Sequence, residues 1–339
     1  MINLFGPIPP SEFNYFEIGN FQIRYYALCI LVGIIAAIIF ASYRFKARKA
    51  ETGIALDVAI WAVPMGIIVA RIYHVLTHFS DYFGEGKDPI KALYIWEGGI
   101  AIYGGLIGGL LGAWIAARQD GVRFAAVADV FAPALILAQA IGRWGNYFNN
   151  ELFGVPTDLP WGLQVQSYNP AYPVGLPEGV LFHPTFLYES IWDLLGVFVI
   201  IWLERRFKLQ WGRVFAVYLA YYSFGRIFIE SIRIDPSQIY FGIRVNVWTA
   251  ILGFVIGLVL YFWLKKRHPG AELSVYLPNR GPEADAERER LRKEAKKSAS
   301  KAGSKSVDST VSEAETVYEI EDDEVNSKND KTKRKTAAK

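Results

Sequence analysis

Apolar residues in this chain come in long blocks rather than at the spacing of an amphipathic helix or strand. Seven blocks run almost unbroken, near residues 25–43, 55–76, 95–117, 124–142, 185–204, 212–231 and 246–264. Each is close to the ~20 residues that a helix needs to cross about 30 Å of hydrocarbon. Within lipid a segment must satisfy its own backbone hydrogen bonds, so the blocks predict seven transmembrane helices. The third, IWEGGIAIYGGLIGGLLGAWIAA, is rich in glycine, including residues 104, 105, 108 and 109, which predicts a close helix–helix contact. The first block does not read as a cleaved signal peptide: no basic segment precedes it, and its positive charges follow it. The pattern stops near residue 268. Residues 270–339 carry 15 Lys and Arg against 15 Asp and Glu, with no Trp or Phe. Such a segment buries too little apolar area to offset its ordering entropy. The pattern therefore predicts a membrane domain over 1–268 and a disordered charged tail over 269–339, with a short charged helix near EADAERERLRKEAKK.

Charge orients the helices. Thirteen Lys and Arg, from Arg44 to Arg267, fall in one set of loops and ends, against six on the opposite side. Basic residues stay in the cytoplasm. The fold expected is thus an all-α polytopic membrane protein with the N-terminus outside and the C-terminus cytoplasmic. The long external loop, about 143–184, is rich in Pro and Gly and reads as a small irregular cap. The one cysteine, Cys29, lies inside an apolar run and allows neither a disulfide within the chain nor a cysteine metal site.

On this topology polar residues from six helices gather in the outer leaflet. Helix 4 ends at Arg143, followed by Asn146, Asn149, Asn150 and Glu151. Helix 6 carries Arg226, Glu230 and Arg233, spaced for one face. Helix 5 opens with His183, Tyr188 and Glu189, helix 1 with Arg24, Tyr25 and Tyr26, and helix 3 with Glu97 and then Tyr103. Helix 2 brings Arg71. Charges at membrane depth are costly unless paired or hydrated, and they mark function by default. Taken singly, Arg226 and Glu230 suit a structural ion pair, and Arg143 suits a snorkelling residue at a helix end. Their convergence favours a site for an anionic lipid headgroup, because arginine presents a fork of donors that matches phosphate oxygens. His74 and His78 have ligand spacing but no evident third ligand, so no metal is expected. The glycines of helix 3 follow no strand and precede no lysine, so they do not read as a nucleotide loop.

The run GRWGNYFNNELFG, residues 142–154, resembles the signature of the prolipoprotein diacylglyceryl transferase family. Gly142, Arg143, Gly145, Asn146, Asn149, Glu151 and Gly154 match, with Tyr147 where Phe is usual. YYALCILVG, YGGLIGG, HPTFLYE and GRIFIESIRIDPSQ resemble further family blocks in the same order, over about residues 1–265. The resemblance implies transfer of the sn-1,2-diacylglyceryl group from phosphatidylglycerol to the lipobox cysteine of a prolipoprotein signal peptide. It implies a thioether and glycerol 1-phosphate as products, and a bacterial cell membrane as the setting. The expected partners are therefore phosphatidylglycerol, the prolipoprotein and the bilayer, with no nucleic acid and no cofactor.

By the resemblance, Arg143 and Arg226 match the family's two critical arginines, and Tyr26 matches a position that lines the lipid site. A leaving phosphate needs fixed positive charge, so the two arginines are expected to hold it. Asn146 and Glu151 are expected to hydrogen-bond the headgroup, with Gly154 of the same signature placed among the substrate-binding residues. Glu230 is expected to orient Arg226, and Arg233 to add charge. Tyr103 stands where the family usually has a histidine proposed as the base. A phenol is a poor base at neutral pH, so a hydrogen-bonding role is favoured and the base stays open. His183, before a proline at a helix start, reads as structural. Two other readings of the residues compete: a transporter or flippase for an anionic lipid, opposed by the absence of an inverted repeat, and a non-catalytic lipid-binding factor.

Overall fold

The structure, a computed structural model, describes residues 6–19 and 21–301. The chain forms two compact units, the first ending at Leu277 and the second beginning at Pro278. Seven long helices build the first: α1 (Tyr25–Ala47), α2 (Ile54–Thr77), α3 (Ile102–Gln119), α4 (Phe124–Gly142), α5 (Thr185–Phe207), α6 (Arg213–Ile232) and α7 (Val245–Arg267). Each predicted block is therefore helical. Five of them (α1, α2, α4, α5 and α7) are long and apolar enough to cross a membrane. Glycine lowers the hydropathy of α3, and Arg226, Glu230 and several tyrosines lower that of α6.

One boundary differs from expectation. The third block begins as an isolated turn, Ile95–Glu97, and the helix starts only at Ile102. Gly98 and Gly99 adopt φ of +93° and +73°, a region closed to a helix, and they break the segment there. Tyr103 is thus the second residue of α3 rather than a position well inside a longer helix.

Alternating direction brings the N-termini of α1, α5 and α7 to the same end as the C-termini of α4 and α6. The central helix is α4, which packs on α1, α3, α5 and α6. The glycine stripe of α3 lies on α2: a Cβ at Gly104 would sit 2.6 Å from the Val69 carbonyl oxygen, and Gly108 and Gly112 meet Met65 and Trp61 as closely. Gly105 and Gly109, also expected at the contact, face α2 at ordinary van der Waals distance: a Cβ on Gly105 would lie 3.8 Å from Ala70 Cβ, and one on Gly66 3.5 Å from the Gly105 carbonyl oxygen. At the opposite end Asp129 of α4 caps the start of α6. Its carboxylate accepts from the backbone N–H groups of Gly212 (2.8 Å), Val214 (2.8 Å) and Phe215 (3.0 Å), donors that a helix start leaves unpaired. Arg44 ties that end together by donating to the carbonyls of Val130 and Asp129 and pairing with Glu204 at 2.9 Å.

The loop between α4 and α5 is less irregular than expected. It holds an antiparallel pair, β3 (Leu163–Gln164) and β4 (Leu181–Phe182), over a core of Phe153, Leu163, Val165, Phe182 and Phe186. Two further hairpins precede helices: β1 (Tyr15–Ile18) with β2 (Phe21–Arg24), and β5 (Ile239–Tyr240) with β6 (Ile243–Arg244). The chain also remains packed beyond 268. Val275 is buried against the α1–α4 core, and Glu272 pairs with Arg48 and Arg123. The N–H of Arg123 donates to Val275 and that of Leu277 to Gly121. The tail expected from 269 therefore begins with a strap that belongs to the first unit. In the second unit, α8 (Pro282–Lys301) is the charged helix read from the sequence, with Arg290–Glu294 and Lys293–Glu289 pairs along its face. The rest of the expected tail, 302–339, lies outside the described residues.

Candidate active site

The helix α4 runs out at Arg143, and the chain turns at once through a single helical turn, Trp144–Phe148. Gly145 makes that turn possible beside α1, because a Cβ there would lie 2.5 Å from the Tyr26 ring. The turn points Asn146 inward: its Oδ1 accepts from Arg143 at 3.5 Å, and its Nδ2 donates to Glu151 at 2.9 Å. Asn149 donates to the same Glu151 oxygen at 3.2 Å. Tyr26 lies within electrostatic reach of both Arg143 and Glu151. Asn150 does something else. At φ +50°, which Asn tolerates, its side-chain amide bonds both the N–H and the C=O of Ser11, and its carbonyl accepts from Asn169. It fastens the cap and the N-terminal segment over the site.

Four arginines share the buried carboxylates around this turn. Glu189, one turn into α5, bridges two of them: one oxygen meets Arg143 Nε and the other Arg226 Nη1. Arg226 also pairs with Glu230, which is fully buried. Glu230 then accepts from Arg233 (3.1 Å), Arg244 (3.2 Å) and Asn246 (2.7 Å), so α6, its C-terminal extension and α7 meet on one carboxylate. Asp235 pairs with Arg233 at 2.7 Å and Arg244 at 3.2 Å. Such groups are tolerable at depth because each charge is paired and hydrogen-bonded.

Against the end of α4, at Ala140, Ile141 and Trp144, opens an apolar cavity of about 260 Å³. Leu28, Cys29 and Val32 of α1, Ile141 and Trp144, and Leu194 of α5 line it. Ser190 holds its wall, donating to the Ala140 carbonyl at 2.9 Å and accepting from Trp144 at 3.2 Å.

Of the expected site residues, Arg143, Asn146, Glu151 and Tyr26 form one neighbourhood, and Arg226, Glu230 and Arg233 an adjoining one linked through Glu189. Three residues fall elsewhere. Gly154 meets no substrate space: a Cβ on it would lie 2.9 Å from His183 Cβ and 3.0 Å from the Ile232 carbonyl. The backbone on either side of it bridges to Ile232 and Ile234 and thereby places Arg233. Arg71, gathered with the cluster by sequence, is consumed by the α2–α3 loop, donating to the carbonyls of Lys91, Ala92, Gly98 and Gly99. Tyr103 is 47% exposed with its ring toward Tyr73, and among the described residues its hydroxyl has no hydrogen-bond partner. The Glu97 side chain lies outside the described residues. His183 Nδ1 and the Tyr188 hydroxyl are hydrogen-bonded at 3.0 Å. His74 and His78 stack at 4.3 Å, and among the described residues no group of three His, Cys, Asp or Glu could hold a metal.

The bridging role of Glu189, and Asp193, Arg244 and Asn246, were not foreseen. Glu189 and Asp193 had a signal: two acids four apart inside an apolar span are costly without a purpose. Arg244 and Asn246 had none, since only the fold of the β5–β6 hairpin brings them back to Glu230.

A bundle of long apolar helices around a buried, ion-paired cluster defines the chain as a multi-pass membrane protein. Residues 14–263 match the family described as prolipoprotein diacylglyceryl transferase. The chain is 55% identical over 277 residues to the phosphatidylglycerol–prolipoprotein diacylglyceryl transferase of Leifsonia xyli, covering 79% of this chain and 83% of that protein. It is 48% identical to the protein so named from Paenarthrobacter aurescens (79% and 86% covered) and 45% identical to that of Streptomyces griseus (80% and 82% covered). The chain belongs to the prolipoprotein diacylglyceryl transferase family.

Proposed function

We propose that this protein transfers the sn-1,2-diacylglyceryl group of phosphatidylglycerol to the lipobox cysteine of prolipoproteins in a bacterial cell membrane. The observation that carries the reading is the convergence of Arg143 and Arg226, from two helices, on one shared anion beside an apolar cavity. In this reading all seven helices span the bilayer with the N-terminus outside, and the site opens to the outer leaflet, where both substrates are found. The catalytic domain is 1–268 together with the strap that ends at Leu277, and the charged tail takes no part in the chemistry.

The lipid phosphate lies between Arg143 and Arg226, with an acyl chain in the cavity beside Cys29. Asn146 and Glu151 hydrogen-bond the glycerol headgroup, and Tyr26 closes the α1 side. Gly154 acts through Arg233, whose place it sets. The Tyr103 hydroxyl, without a hydrogen-bond partner among the described residues, donates to substrate. The cysteine thiolate attacks the glycerol C3, the C–O bond breaks, and glycerol 1-phosphate leaves. Fixed guanidinium charge in a largely buried site stabilises the departing phosphate most strongly as its charge grows. Glu230, held by three arginines and Asn246, keeps Arg226 from turning away.

The test is product analysis. Full-length protein in phosphatidylglycerol nanodiscs, mixed with a lipobox peptide, is expected to yield thioether-linked diacylglyceryl peptide and an equal amount of glycerol 1-phosphate. Lipid binding without either product, or lipid crossing the bilayer without a thioether, would overturn the reading.

A further inference from the structure

The two carboxylates that hold Arg226 are not equivalent. Glu230 accepts from four donors on three segments and cannot leave without stranding them. Among the described residues, Glu189 is bonded to Arg143 and Arg226 and to nothing else. Its two oxygens occupy one nitrogen of each arginine, as the two non-bridging oxygens of a phosphodiester would. A phosphate that joins these arginines therefore displaces Glu189, and the displaced carboxylate stays at the reaction centre. One turn along α5 sits Asp193, 1% exposed, whose Oδ2 is buried without a hydrogen-bond partner. The other charged or titratable groups facing this pair are Arg143 at the end of α4, and Tyr218, Tyr221, Tyr222 and Arg226 of α6.

We infer that Glu189 is the base of the transfer reaction, held silent by the two arginines until the lipid phosphate takes its place, with Asp193 positioned to share the proton it receives. The inference rests on the transfer reading above. The step balances. The acceptor S–H proton passes to the Glu189 carboxylate, and the thiolate forms the S–C bond to the glycerol C3. The C3–O electron pair goes to the phosphate oxygen, making a phosphomonoester dianion. That dianion takes the proton from Glu189 as it departs, and the carboxylate returns to the arginines. One negative charge enters with the lipid and one leaves with glycerol 1-phosphate. Binding of the donor thereby switches on the base, so a thiol is deprotonated only when a lipid is present to receive it.

The test is Glu189→Gln in the full chain, reconstituted with phosphatidylglycerol. In a folded variant, lipid binding without peptide is expected to equal or exceed that of the wild type, since the amide competes less for the arginines. Turnover is expected to fall by about 10²–10⁴, the usual contribution of a positioned base. A peptide bearing a selenol, ionised at neutral pH without help, is expected to recover most of that loss. Loss of lipid binding together with turnover, or no rescue by the selenol, would overturn the inference by making Glu189 a structural ion-pair partner. Asp193→Asn, isosteric and outside every arginine pair, is the second variant and tests the proton sharing even if Glu189→Gln does not fold. It is expected to move the acid limb of the turnover–pH profile by about one pH unit with lipid binding unchanged, as for two coupled carboxyls; an unmoved limb would overturn the inference. A wild-type protein that forms no thioether would refute the transfer reading itself, which is a separate result.

Discussion

Glu230→Gln removes one charge and almost no volume. In the native protein one Glu230 oxygen accepts from Arg226 and Arg233, and the other from Arg244 and Asn246. A glutamine must turn its NH₂ toward one of these sets, so in either orientation a donor faces two donors. Removing one partner of a buried ion pair costs about 3–5 kcal/mol, because the other partner is left desolvated. The lower end applies here: Arg226 keeps Glu189, while Arg233 and Arg244 keep Asp235. At about 2–4 °C per kcal/mol for a chain of this size, a loss of about 3 kcal/mol lowers the unfolding midpoint by about 6–12 °C. Thermal unfolding of nanodisc-embedded protein, followed by tryptophan fluorescence, measures this, with turnover recorded at a temperature where both proteins are folded. Turnover should also fall, since Arg226 loses the carboxylate that aims it. A variant with an unshifted midpoint and wild-type turnover would refute the view that Glu230 organises these arginines.

Other substitutions separate the roles proposed for single residues. Tyr103→Phe removes one neutral donor, worth about 0.5–1.5 kcal/mol, so turnover should fall about two- to tenfold rather than the 10²–10⁴ expected of a base; a loss in the higher range would make Tyr103 the base. Asp120, just past the end of α3, is pushed up to about 6 by burial first and then by Asp57 and Glu51. Its folded value thus exceeds the unfolded ~3.9, so it costs stability as pH rises from about 4 to about 6 and above. Asp120→Asn should stabilise the protein at pH 7.5 by about 1 kcal/mol after solvent screening, read as a higher unfolding midpoint, and leave it unchanged below pH ~4; an equal gain at both pH values would refute the assignment. For orientation, a cysteine at the exposed Val174 should react with an impermeant maleimide in intact cells, and one at the exposed Lys46 should not; the reverse pattern would invert the topology.

The helices were legible because lipid leaves a spanning segment few choices, and apolar length reports that directly. The start of α3 was not, since Gly98 and Gly99 break the helix by backbone conformation while leaving the apolar run intact. Arg71 looked like a site residue because sequence shows a charge at membrane depth but not the loop carbonyls that surround it. Gly154 was legible as a required residue, but only the strand pairing shows that the requirement is steric. The strap after α7 was hidden among charged neighbours, and its anchors Val275 and Glu272 are too few to change a composition average. Arg143 and Arg226 stood out by type and place, whereas their meeting on Glu189 needed the fold.

The central claim is that Arg143 and Arg226 together hold the phosphate as it leaves. It is tested most directly by turnover of folded, membrane-inserted Arg143→Lys and Arg226→Lys at saturating phosphatidylglycerol, with lipid affinity measured beside it. Lysine keeps the charge and loses the planar fork. If the contacts strengthen as phosphate departs, each substitution lowers turnover by about 10²–10³, as for a donor lost from a preorganised anion site, and weakens lipid binding much less. Near wild-type turnover in both variants would contradict the account and leave these arginines with the fold or the membrane interface.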